Sequence, residues 1–242
     1  MPEPITLLAA AEKIGATFEA LLADVTIQDS GEARVAACLY LTIAELHIAV
    51  IAVFRSRAQS HGPVLIRSMH EALADLKNVV ANPAHVDQMR FDNADQMLKT
   101  IKGFREAPGM QEEEEAQITL ANWTEQEQKT YDELKAKGFK PLKAVSKFKQ
   151  VGMADEYAAV YRFLCSFSHS DLNTLVARHA GCRHLRFMDP LPPTTLKSLL
   201  SMSLSLYASA VEILPKYTNI SPNATTVAID SADAIWSTAN NC

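Results

Sequence analysis

The 242-residue sequence predicts an all-α helical bundle folded as a single domain, and three observations carry that prediction. Hydrophobic residues make up 48% of the chain, enough for a sizeable core, while glycine is scarce at 8 and alanine and leucine abound, which favours helices over turn-dense β architecture. Apolar residues recur at helical spacing through several long segments. No Gly, Ser or Pro-rich linker divides the chain, so one bundle is expected over residues 1–217, followed by a polar tail over 218–242 that is part helical.

The elements follow in order. Residues 5–24 place Leu8, Ile14, Phe18 and Leu22 on one amphipathic face, expected to pack as a lid on the bundle. Asp29, Ser30 and Gly31, with Glu32, form a capping signal for the most apolar helix, Ala33 to Arg57. Val35 to Phe54 is long enough to span a bilayer, yet Glu45 and His47 fall near its middle, where an acid costs roughly 2.5–3.5 kcal/mol on insertion scales. A buried bundle helix is therefore expected, with no membrane. Gly62 and Pro63 open a third helix to about Ala81, Pro at the first position costing no hydrogen bond. A fourth runs from Pro83 to about Lys102 and ends at Gly103. Residues 105–123, with Pro108, Gly109 and Glu112 to Glu115, read as a solvated or partly helical excursion, because adjacent carboxylates repel. Thr124 and Glu127 form a second capping box for a helix that Gly138 stops, and Pro141 begins a short one. After the helix that starts at Tyr157, Ser170 is placed to cap a continuation over Leu172 to Arg178. Gly181 to Met188 alternates and predicts a brief extended piece near 182–188. Thr194 to Lys216 is a long helix with a leucine stripe, and Val227 to Ala239 gives a weaker helical signal.

A net charge of -5 excludes nucleic-acid or anionic-membrane binding through the overall field and leaves only local patches. One is available: lysines at 135, 137, 140, 143, 147 and 149 with no acid from Lys135 to Val151. Cys38, Cys165, Cys182 and Cys242 show no paired spacing, and Met1 to Lys13 has neither a basic start nor a long apolar run, so a reduced, cytoplasmic setting is expected. His179, Cys182 and His184 match no standard zinc spacing, so neither metal nor cofactor is expected.

Two places carry chemistry-capable residues. On the third helix Arg67 and Glu71 lie one turn apart beside His70 in an apolar setting, where a charge is costly unless paired; the spacing predicts an Arg67–Glu71 bond. On the stretch Tyr157 to Asp171, at 100° per residue, Tyr157, Val160, Leu164 and Phe167 form an apolar face while Arg162, Ser166 and His169 share another. A thiol–imidazole pair of Cys165 and His169 is also one turn apart, although neighbouring turns of one helix seldom aim both groups at one atom.

Arg162 and His169, separated by six residues, resemble the Arg-x4-6-His motif of the HEPN superfamily, helical proteins many of which are metal-independent ribonucleases acting as dimers. The chain resembles more closely a bacterial family of uncharacterised helical proteins with an Arg-x3-Glu pair and a late Tyr-x2-Leu-Ser-x3-His motif. The matching residues are Arg67 and Glu71, then Tyr161, Leu164, Cys165 in place of the serine, and His169, over roughly residues 35–215. The resemblance implies a HEPN-like bundle, a homodimer, and endoribonuclease activity of bacterial toxin or antiviral-defence type. In it His169 moves the proton, Arg162 holds the phosphate, and Arg67 and Glu71 support them. Tyr161, Ser166, Arg178, Arg183, Lys143 and Lys147 would contact RNA. The other reading is a non-enzymatic helical module that binds a small ligand or a protein partner through the same polar residues.

Overall fold

The computed structural model describes residues 3–107, 109, 113–169, 171–181 and 185–241. Among these, ten helices of seven residues or more carry the fold, and the extended pairing is limited to two isolated antiparallel bridges, Ile27 with Thr218 and Ala180 with Leu185. The helices are α1 (Pro4–Glu19), α2 (Gly31–Arg55), α3 (Gly62–Ala81), α4 (His85–Glu106), α5 (Glu114–Ala136), α6 (Ala144–Gln150), α7 (Arg162–Ser168), α8 (Leu172–His179), α9 (Pro193–Ile213) and α10 (Pro222–Asn241). The all-α expectation holds. The packing groups the chain into two compact units, one over the residues up to Ala81 and from Phe148 onward, the other over Asn82–Lys147.

In the first unit, α2 and α3 form a helical hairpin joined by a short 3-10 turn, and α9 packs against both. Ser30 caps α2 by accepting from the Ala33 N–H at 3.1 Å, as the sequence signals. Tyr40, Ile43, Phe54, Ile66, Met69 and Tyr207 fill the space between the three helices. Helix α1 seals this core with Leu7, Ile14 and Phe18, whose ring meets Tyr207 edge-on at 5.0 Å. Residues 222–241, expected to be polar and part helical, form α10, which packs on α1 and α9 and buries Thr225, Ala228, Ala232 and Ala239. Helices α2 and α9 (extended to Lys216) are each long and apolar enough to cross a membrane; here each lays a buried face against its neighbours.

His47, midway along α2, is fully buried with both ring nitrogens engaged. Its Nε2 donates to the Ala11 carbonyl at 3.4 Å, which leaves Nδ1 to accept from the Ser203 hydroxyl at 2.8 Å. Burial pushes its pKa down to about 4, against a smaller upward pull from the Ala11 carbonyl.

In the second unit α4 and α5 pack together, with Phe91 stacked on Tyr131 at 5.0 Å. Two boundaries differ from those the sequence suggests. Helix α4 passes through Gly103 to Glu106, because Ile101 anchors its last turns and Lys102 reaches Glu106 one turn on. Helix α5 begins ten residues before Thr124: Glu114 and Glu115 sit in its first turn, where the exposed N–H groups favour acids, and Leu120 is buried. Thr124 does not cap. Its hydroxyl donates back to the Leu120 carbonyl at 2.7 Å inside the helix. Gly138, at φ 94°, stops α5 as expected.

Candidate functional site

Helix α7 leans on α3, and the reason lies just before it. Tyr157–Tyr161 is a π-helical turn in which the Arg162 N–H reaches the Tyr157 carbonyl, five residues back. Such a turn holds more residues than an α-turn and rotates everything that follows. The apolar face expected at Tyr157, Val160, Leu164 and Phe167 is therefore shifted: Tyr161 and Leu164 are the buried pair, while Tyr157, Val160 and Phe167 are half-buried. Phe148 is buried against both Tyr157 and Tyr161 and fixes the turn from below. Nothing in the local spacing signals this role for Phe148.

The rotation brings Tyr161 and Cys165 against Arg67 and Glu71. Arg67 Nη2 donates to Glu71 Oε1 at 2.9 Å and to the Tyr161 oxygen at 3.0 Å. Arg67 Nε donates to Cys165 Sγ at 3.3 Å, and the Tyr161 hydroxyl donates to Glu71 Oε1 at 2.5 Å. Two segments 90 residues or more apart thus share one network, 23% exposed at the Arg67 side chain and 36% at Glu71. Burial raises the Tyr161 pKa, and the Glu71 carboxylate raises it further, so the phenol stays protonated and remains the donor. Burial works against the Arg67 charge, but Cys165, Glu71 and Tyr161 outweigh it and hold the guanidinium charged. The network as a whole is neutral.

Arg162 and His169 do not join it. Both are exposed, and neither side chain has a hydrogen bond or ion pair among the described residues. Arg162 opens α7 and His169 follows its last residue as the C-cap; at helical spacing seven residues bring the two within about 20° of each other around the axis, and both side chains are exposed to water. Phe163 stands beside them, 56% exposed and edge-on to Phe167 at 5.3 Å. Ser166, expected on this stripe, is engaged within the fold: it donates to the Phe163 carbonyl at 2.7 Å and accepts from the Thr174 hydroxyl at 2.9 Å, tying α7 to α8.

The remaining candidates are dispersed. Arg178 on α8 donates to His61 Nε2 at 3.0 Å, which keeps that ring neutral; burial first, then Arg178 and His179, lower the His61 pKa. Arg183, Cys182 and His184 lie outside the described residues, as does Ser170; Asp171 caps α8 by accepting from the Asn173 and Thr174 N–H groups. Lys143 and Lys147 belong to the second unit, Lys143 exposed and Lys147 half-buried at the start of α6.

No curated protein and no solved structure matches the chain. Residues 33–184, which hold Arg67, Glu71 and the whole Tyr161 to His169 stretch, match a family of unknown function, DUF5677, and since that span covers well over half of the sequence the chain belongs to this family.

Proposed function

We propose that this protein is a metal-independent endoribonuclease, of bacterial toxin or antiviral-defence type, whose reacting groups are Arg162 and His169. The observation that carries the reading is their exposure to water at the two ends of α7, a helix fastened to α3 by the Arg67–Glu71–Tyr161–Cys165 network. Positioning matters because a group held in reacting geometry removes much of the entropic barrier. In the reaction the ribose 2′-oxygen attacks the adjacent phosphorus, the bond to the 5′-oxygen breaks, and a 2′,3′-cyclic phosphate forms. An imidazole takes the 2′-hydroxyl proton, an imidazolium protonates the leaving 5′-oxygen, and Arg162 meets the charge that grows on the phosphoryl oxygens. Phe163 offers a ring on which an unstacked base can rest.

Two proton transfers suit two histidines, which is the chemical case for a homodimer. Its physical support is an exposed apolar surface on α8 and the segment after it, where Leu172 is 72% exposed, Leu185 87% and Phe187 72%. The same reading has the protein in the cytoplasm, with His47 a core residue of α2 rather than a membrane-buried one. The HEPN relationship belongs to this proposal and rests on the Arg162–His169 spacing.

The test is RNA incubated with purified protein and a chelator: the wild type should leave cyclic phosphate ends, and His169→Ala and Arg162→Ala should not. A second reading, a non-enzymatic helical module, draws support from Arg67, whose Nε and Nη2 already serve three partners within the fold. On that reading wild type and His169→Ala behave alike toward RNA.

A further inference from the structure

Helix α9 carries serines at 198, 201, 205 and 209, a spacing of three or four that draws one polar stripe along a helix otherwise rich in leucine. The stripe lines a cavity of about 480 Å³, with His70, Leu73 and Lys77 of α3 also in its lining. A volume of that size suits a small organic molecule. Ser198 returns its hydroxyl to the Thr194 carbonyl at 3.0 Å. The hydroxyls of Ser201, Ser205 and Ser209 make no such bond among the described residues.

A second observation points to a ligand independently of the serines. His70 is 4% exposed, and its Nδ1 is shielded from water with no hydrogen-bond partner. His47, the other buried histidine of this core, has both nitrogens satisfied by the fold. A buried ring nitrogen without a partner is costly to keep, and such groups in native proteins mark strain, a catalytic role or a bound species. Burial lowers the His70 pKa to about 4, with a weaker upward pull from Glu156, so the ring is neutral and can donate or accept one hydrogen bond.

Charge then narrows the ligand. Lys77 and Lys197 both line the cavity, and neither is paired with an acid among the described residues. Glu156 is the lone carboxylate of the lining, which leaves a net positive site. Leu73, Val160 and Met202 supply apolar wall.

We propose that this cavity binds a small amphipathic molecule bearing one anionic group, a carboxylate or a phosphate, met by Lys77, Lys197 and the serine hydroxyls, with its apolar body against Leu73 and Val160. The site uses none of the residues assigned to RNA cleavage and stands or falls apart from that assignment.

The experiment titrates octanoate and adenosine 5′-monophosphate into the full-chain protein, with octanol and adenosine as uncharged counterparts. Calorimetry reads affinity, and side-chain NMR reads the His70 ring, identified by the signal that His70→Gln removes. The expected result is saturable sub-millimolar binding of one anion that moves the His70 signal, at least about tenfold weaker binding of its uncharged counterpart, and a similar loss in Lys197→Gln at unchanged melting temperature. Which anion binds separates the phosphate source from the carboxylate source. Ser205→Val serves as a second, fold-sparing variant and should weaken binding in the same assay. Failure of both anions to saturate at millimolar concentration, or affinity unchanged in both Lys197→Gln and Ser205→Val, overturns the site.

Discussion

One guanidinium serves three partners: Arg67 holds Glu71 and Tyr161 through Nη2 and Cys165 through Nε. Removing any one partner leaves the others short of a bond in a half-shielded place, where the cost is a fraction of that for a sealed core. Tyr161→Phe should therefore lose about 1 kcal/mol, read as a fall of about 2–4 °C in melting temperature, and Arg67→Ala should lose more because it removes three hydrogen bonds at once and leaves Glu71 without its counter-charge. Cys165→Ser should be nearly neutral, since a hydroxyl accepts from Arg67 Nε as a thiol does; a loss as large as that of Tyr161→Phe would contradict the geometry. His47 and His70 set a pH dependence. Each is neutral in the fold with a pKa near 4 against 6.5 in the unfolded chain. Their contribution is thus complete above pH 6.5 and drains as pH falls from 6.5 toward 4, because the unfolded chain takes up protons first. The loss reaches about 1.4 kcal/mol per pH unit for each group. Denaturant melts over that range should show the decline, and His47→Gln should flatten it; an unchanged slope would remove the assignment. At this scale the Arg67–Glu71 pair was legible from helical periodicity alone, whereas Tyr161 entered only through the resemblance to the Tyr-x2-Leu-Ser-x3-His motif, and no spacing joined it or Cys165 to Arg67. The serine spacing along α9 is present in the sequence, but its meaning depends on a cavity that only tertiary packing creates.

Among elements, the π turn at Tyr157–Tyr161 is where periodicity failed. A reading at 100° per residue cannot foresee an inserted residue: Leu164 is buried as expected, but its buried companion is Tyr161 rather than Tyr157, Val160 or Phe167. Thr124 failed for a related reason: a capping box looks the same in sequence whether a helix starts there or runs through, and the buried Leu120 decides for the latter. Where α3 begins, the constraint is space. A Cβ on Gly62 would lie 2.1 Å from Phe54 Cε1 and 2.5 Å from Cζ, and that ring is fully buried. Gly62→Ala should lose about 1–3 kcal/mol through overpacking. Gly31, at the start of α2, has nothing within 4 Å of the same position, so Gly31→Ala should lose nothing measurable. Equal melting temperatures for the two variants would show that Phe54 has room to move.

For the whole molecule, the fold class was the easiest thing to read: scarce glycine and long apolar periodicities leave little besides a helical bundle. The grouping into two units was not readable, because no composition change marks Asn82 or Lys147; the division arises from which helices choose each other as partners. The net charge of -5 requires that any RNA be met by local groups such as Arg162. The measurement that bears most directly on this account is cleavage of a fluorescent RNA oligonucleotide in excess chelator by wild type, His169→Ala and Tyr161→Phe, side by side. The account predicts cutting by the wild type, none by His169→Ala, and cutting by Tyr161→Phe that fails at a lower temperature; equal behaviour of the wild type and His169→Ala would contradict it.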